Sequence, residues 1–213
     1  MDDALIRDFG TAASAVVIEK TREALSARGI TVTVVGTRAE ALERLKELIP
    51  SGASVNSGAS VSLREIGFEA LLTSMNHPWR NLKGEYLAEK DPARQRVLRR
   101  QAILSDYFLG SVHALTQAGQ LIVASATGSQ IAPYAYASPN VIWVVGSQKI
   151  VPSVDEGFRR IREYILPDEE KRMRELSGGK MGTMIGKILV FERESPVLAR
   201  TVNLLLVREP VGD

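Results

Sequence analysis

Apolar, β-branched runs that pass through a polar turn into a capped helical pattern recur along this chain. That alternation constrains the fold more than any other feature. ITVTVVG (30–36) leads into TRAEALERLKELIP, VIWVVG (141–146) leads towards SVDEGFRRIREYI, and ASV (53–55) opens the polar stretch that runs to Gly67. Thr37 with Glu40 and Ser153 with Glu156 have capping-box spacing, and Asp91-Pro92 places an N-cap before a proline at the first helical turn. Strands joined through helices run parallel. The pattern therefore predicts an α/β fold: a Rossmann-like three-layer sandwich, with a mostly parallel mixed sheet and helices on both faces.

The ends of the chain read differently. Residues 3–28 predict a helix closed by Gly29, with Phe9, Ala13, Val16, Val17 and Ala24 on one face. KILVFE (187–192) and VNLLLV (202–207) are too close for a usual helical crossover, so an antiparallel C-terminal strand pair is predicted. LIVASA (121–126) reads as a buried strand and HALTQAG (113–119) as a short helix. No repeat or linker-like stretch divides the 213 residues, and a single domain over 1–213 is expected.

Lys plus Arg is 27 against 25 for Asp plus Glu, a balance that argues against nucleic acid or a membrane surface as partner. Hydrophobic residues make up 45%, enough for a sizeable core, yet no run is long enough to span a bilayer. MDDALIRDFG is acidic and unlike a signal peptide, so a cytoplasmic protein is expected. With no cysteine, the chain offers no disulfide, thiolate nucleophile or cysteine-ligated metal. His77 and His113 have no metal-ligand spacing, and neither a P-loop, a GxGxxG turn nor a GxSxG elbow is present. No cofactor or metal is implied.

Open parallel sheets take ligands beyond the carboxyl ends of their strands, and three polar loops fall there. SVNSGASVSLREIG (54–67) offers Asn56, Ser57, Gly58 and Ser60 to an anion through hydroxyls and backbone amides. The competing reading is a helix start, with Ser62 and Glu65 as a capping box and Ser60 as an alternative cap. TGSQIAPYAYASP (127–139) supplies Thr127, Gly128, Ser129 and Gln130 as a polar mouth, with Tyr134 and Tyr136 as aromatic walls. GSQKIVPS (146–153) supplies Lys149 as a positive charge. Glu65 is the carboxylate nominated for acid–base work. Residues 73–90 either cover a cleft or simply connect. The arginines at 94–100 read as a solvated helix face, and His113 as a packed or surface histidine before a general base.

These blocks resemble a known family. SGASVNSGASVSLREIGFEALL is similar to the first block of the LUD (lactate-utilisation) domain family. DYFLGSVHALTQAGQLIVASATGSQIAPYAYASPNVIWVVGSQKIVPSVDEGFRRI (106–161) is similar to its Thr-x-x-Gly turn, strand, Thr-Gly-Asn-Arg-like loop, second strand and Gly-x-Asn-Lys-Ile-Val block. RTVNLLLVREPVG resembles its closing strand. The resemblance implies a fold of the ribose-phosphate isomerase, glucosamine-phosphate deaminase and CoA-transferase superfamily, and a link to oxidation of L-lactate to pyruvate beside iron–sulfur partner proteins. The chain departs from the pattern in three places. Ser129-Gln130 replaces the Asn-Arg pair, Gln148 replaces Asn, and LSGGKMGTMIGKILVFERE lacks the cysteine cluster of one branch. The leading expectation is a lactate-utilisation-type protein that binds a small anionic metabolite. A free-standing sugar-phosphate isomerase-like or CoA/acyl-handling enzyme is one alternative. A non-catalytic subunit of an iron–sulfur redox complex is another. A homo-oligomer stays open.

Overall fold

The structure, a computed structural model, describes residues 9–213. Its strands are β1 (Thr31–Val35), β2 (Ser54–Ser57), β3 (Arg80–Asn81), β4 (Tyr107–Gly110), β5 (Ala114–Thr116), β6 (Leu121–Ser125), β7 (Asn140–Gly146), β8 (Ile150–Val151), β9 (Lys187–Phe191) and β10 (Thr201–Val207). Its helices are α1 (Ala15–Ser26), α2 (Arg38–Leu48), α3 (Val61–Glu65), α4 (Phe68–Ser74), α5 (Leu82–Ala88), α6 (Pro92–Gln101), α7 (Val154–Arg160) and α8 (Leu166–Leu176), the last two joined by a π-helical turn over Ile161–Ile165. No helix among the described residues is long and apolar enough to cross a membrane.

The main sheet has the order β1-β10-β7-β4-β2-β3, and every pairing in it is parallel. The α/β class and the parallel sheet follow the sequence expectation. The antiparallel C-terminal pair does not form. β10 lies between β1 and β7, running from Thr201↔Asn140 to Val207↔Gly146, whereas β9 pairs antiparallel with β6 in a second sheet of order β8-β5-β6-β9. The burial of the two segments explains the split. Val202 to Val207 are all buried, as a central parallel strand requires, while Lys187 to Val190 stay partly exposed and suit an edge. The connection between them is tied by Glu194 N–H to Arg28 O (2.9 Å) and by Arg200 to Ser138 O (3.0 Å) and Tyr134 O (2.9 Å).

Side chains of the central strands alternate between two cores. Ile142, Val144, Leu205 and Val207 face α2, α3 and α4, which bury Leu45, Leu63, Phe68 and Leu72. Val141, Trp143, Val145, Leu204 and Leu206 face α1 and the inner side of the second sheet. The outer side of that second sheet, with Ala114, Ile122 and Val151, packs on Ile161 and Ile165. Helices therefore lie on both faces of the main sheet, with the second sheet sharing one face. Between the sheets Trp143 meets Tyr134 (5.3 Å between ring centroids) and Phe191 (5.2 Å) edge-on.

Local signals placed the starts of α2, α6 and α7. Thr37 Oγ1 accepts from Glu40 N (3.2 Å), Ser153 Oγ from Glu156 N (3.3 Å), and the Asp91 carboxylate from Ala93 N (3.0 Å) and Arg94 N (3.3 Å). Three readings need correction. Of the helix expected over 3–28, the described residues form only Ala15–Ser26, with 9–14 non-helical; residues 3–8 of that reading lie outside the described part. HALTQAG is not a helix: Ala114–Thr116 is a strand that turns at Gly119 (φ 87°) and pairs antiparallel with β6. The helix expected after Ser60 breaks at Gly67 (φ 85°), so Leu63 and Ile66 are buried but Ala70 is exposed.

Gly110 closes β4 directly against Tyr134. A Cβ there would lie 1.7 Å from the Tyr134 hydroxyl. Gly110→Ala must push Tyr134 off the aromatic cluster. The expected cost is about 3 kcal/mol, read in thermal denaturation as a Tm lower by roughly 6–12 °C. An unchanged Tm would show that the cluster yields easily.

Candidate functional site

A cavity of about 620 Å³ opens at the carboxyl ends of β2 and β4, beside the turn that follows β7. The end of β6 and the loop after it contribute Ala124–Thr127, Ser129 and Gln130 to its wall, α5 contributes Lys83, Tyr86 and Leu87, and α8 contributes Glu169, Arg172 and Met173. Five cationic side chains line it (Arg64, Lys83, Arg99, Lys149 and Arg172) against three acidic ones (Glu69, Glu169 and Asp213). Lys83 pairs with Glu69 at 3.5 Å and Arg172 with Glu169 at 2.5 Å. Arg64, Arg99 and Lys149 have no ion-pair partner among the described residues, so the wall carries an excess of unpaired positive charge. Among those residues no group of three or more His, Asp or Glu could hold a metal ion.

Lys149 is the buried one of these three. It ends a 3₁₀ turn after β7 and is only 4% exposed. Its Nζ donates to Ser62 Oγ (3.1 Å), Ser111 Oγ (3.3 Å) and Val112 O (3.3 Å). Burial, helped by the charge of Arg160 and opposed by Asp213 and Glu65, lowers its pKa to about 7. Residues 211–213 close over the lysine. Gln148 holds this tail with Nε2 on Val211 O (3.1 Å) and Gly212 O (2.8 Å), while its Oε1 accepts from Val211 N (3.2 Å). Only glycine suits position 212. Its φ is 72°, and a Cβ would lie 2.3 Å from Ser62 Oγ and 2.9 Å from Lys149 Nζ.

His113 stands in the same wall. Its Nδ1 accepts from Ala124 N at 3.2 Å. Burial pushes its pKa down to about 3, helped by the charges of Lys149 and Arg160. Arg160 is fully buried, donates to His113 O at 2.6 Å, and lies over the rings of Tyr164 (5.3 Å) and Phe9 (5.9 Å). It has no ion-pair partner among the described residues, and burial lowers its pKa to about 10.

All three polar loops read from the sequence reach this cavity. Asn56, Ser57, Gly58, Ser60, Thr127, Ser129, Gln130 and Lys149 line it; Gly128 and Glu65 do not. Several of these residues carry structural ties. Asn56 Nδ2 donates to Ala102 O (2.8 Å) and its Oδ1 accepts from Ser57 N (2.9 Å). The amide of Gly58 donates to Leu109 O (3.2 Å), so the amides of residues 57 and 58 are already bonded within the protein. Ser60 is the N-cap of α3, accepting from Leu63 N at 3.2 Å. That corrects the Ser62–Glu65 capping box: Ser62 sits inside the helix facing Lys149. Glu65 instead accepts from Gly212 N (2.9 Å) and pairs with Arg38 (3.4 Å), which anchors the tail. Gly128 shapes its turn by donating to Ser125 Oγ (2.9 Å). Tyr134 is in the core and Tyr136 is 70% exposed; neither forms an aromatic wall.

The sequence profile of the LUD domain matches residues 18–183. The chain belongs to the LUD domain family. This family is associated with lactate utilisation in general. The LUD fold here is similar to the crystal structure of a DUF162 family protein from Deinococcus radiodurans, with a TM-score of 0.51 at 13% identity, over 92% of this chain and 99% of that one. No functionally curated protein matches the LUD chain significantly.

Polar strand ends did not point to Ser111 or Lys83, and His113 was read as a packed or surface histidine on a helix. Ser111 directly follows β4 and was within reach of the same rule. Lys83 lies in the irregular stretch 73–90, which does cover the cavity. His113 was hidden by the helical reading of HALTQAG. The run ALT, a glycine turn and LIVAS is a hairpin signature that would have placed it correctly.

Proposed function

We propose that this LUD-domain protein binds a small anionic metabolite in the cavity, with Lys149 as the charge anchor and the hydroxyls of Ser62 and Ser111 beside it. Lys149 carries the reading. A buried ammonium with no carboxylate in ion-pair contact is costly unless a negative group joins it; its three hydrogen-bond partners are neutral oxygens, and Asp213 and Glu65 act on it only from beyond that contact. Family membership supports a role alongside oxidation of L-lactate to pyruvate. Iron–sulfur partner proteins would then bring the thiolate ligands, since this chain contains no cysteine. The isomerase-like and CoA-handling alternatives need a positioned carboxylate or lysine beside a phosphate cradle; Glu65 does not supply that carboxylate, because it is engaged by Arg38 and Gly212 outside the cavity.

The test is a calorimetric and thermal-shift panel of L-lactate, pyruvate, phosphate and sugar phosphates. A ligand at a hundred times its Kd is expected to stabilise the fold by ~2.7 kcal/mol. A panel in which no anion binds removes the proposal.

A further inference from the structure

His113 is a polar group of the cavity wall to which the anion reading gives no role. Its Nδ1 accepts from the amide of Ala124 at 3.2 Å. A backbone N–H can only donate, so Nδ1 carries no proton and the neutral ring must be protonated at Nε2. Nε2 has no hydrogen-bond partner among the described residues. The ring lies in the cavity wall, and Lys149 Nζ is bonded to Ser111 and Val112, the two residues immediately before it. The two donors therefore border one short stretch of wall. Half-buried in the wall beside the charges of Lys149 and Arg160, the imidazole stays neutral well below pH 7. It is unsuited to be a general base: one nitrogen is engaged and the other is protonated. A neutral imidazole held this way is an electrophilic donor.

We propose that His113 contacts the ligand directly, presenting its Nε2–H to an uncharged oxygen of the anion whose charge rests on Lys149. The inference rests on the anion reading and sharpens it. The preferred ligand is a carboxylate bearing a carbonyl or hydroxyl oxygen next to it, and a plain carboxylate of equal size leaves Nε2–H unpaired. No proton is transferred in this contact.

The experiment measures Kd by calorimetry for pyruvate, L-lactate and propionate with the parent protein, His113→Asn and Lys149→Met. Asparagine can still accept from Ala124 N–H but has no donor at the Nε2 position. The parent should prefer the oxygenated acids by about tenfold, the worth of one well-made hydrogen bond. His113→Asn should erase that preference and leave propionate unchanged. Equal binding of all three acids by the parent, or a preference that survives in His113→Asn, overturns the role of His113 while leaving the anion site standing. Binding that is indifferent to Lys149→Met, or no binding by the parent, overturns both. Should His113→Asn fail to fold, ¹⁵N imidazole NMR of the parent at pH 5 decides. A neutral Nε2–H ring is expected, and an imidazolium or an Nδ1–H ring overturns the proposal.

Discussion

Lys149→Met is expected to weaken anion binding by roughly 10- to 150-fold, the range for losing a charge-assisted hydrogen bond, without weakening the fold. The two halves of this expectation come from different interactions. Binding should fall because methionine keeps the length of the side chain but offers no donor and no charge. Stability should hold because the hydroxyls around the ammonium have other partners. Ser62 Oγ is 3.1 Å from Ser111 Oγ and 3.3 Å from Val211 O, and Ser111 Oγ reaches Val112 O at 3.3 Å. Replacing an unpaired buried charge with an apolar group of similar shape is often neutral or stabilising. Calorimetry with the best anion of the panel, together with urea unfolding, checks both halves. Parental affinity in the variant would move the anchor to the mouth, where Arg64 and Arg99 stand. A collapse in stability would make Lys149 a tie between β7 and the tail rather than a site.

Much of the main sheet and of its helices was legible because the signals are local. Capping residues act within one turn of their own helix, and the apolar run of β7 can only be a buried strand. The second sheet was not legible. LIVAS has the same apolar character as a central parallel strand, and β8 is two residues long, so nothing local says which sheet either joins. The partner of β9 was misread for the same reason: proximity in sequence suggested β10, but Val202 to Val207 needed cover on both faces and both edges. The cavity was legible in outline, since polar loops after strands are short-range features. The hydrogen bonds that settle each role are long-range. Gly212 to Glu65 spans 147 residues and Lys149 to Ser62 spans 87, and the first of them reassigned Glu65 from chemistry to anchoring.

The same two cavity groups should make the ligand-free protein more stable as pH rises, in two separate windows. His113 has a folded pKa of about 3 against an ordinary value of 6.5. Between those limits the unfolded chain binds a proton that the folded one refuses, so stability is lost as pH falls through 6.5 and the loss saturates near 3. Lys149 has a folded pKa of about 7 against 10.5. From about 7 to 10.5 the unfolded chain again holds the extra proton, so stability rises with pH there and is flat below. Each group contributes a slope of up to ~1.4 kcal/mol per pH unit inside its own window. Paired carboxylates such as Asp106, whose pKa is lowered by hydrogen bonds from Ser54, also act on the acid side, so the measurement is a difference. Urea unfolding of His113→Asn minus the parent isolates the lower window, and Lys149→Met minus the parent isolates the upper one. A saturating anion holds the proton on Lys149, so it should shrink the upper window and leave the lower one in place. Affinity should fall about tenfold per pH unit above 7, because only the ammonium binds. An upper window insensitive to the anion would separate Lys149 from the ligand, even if both variants keep their predicted stabilities.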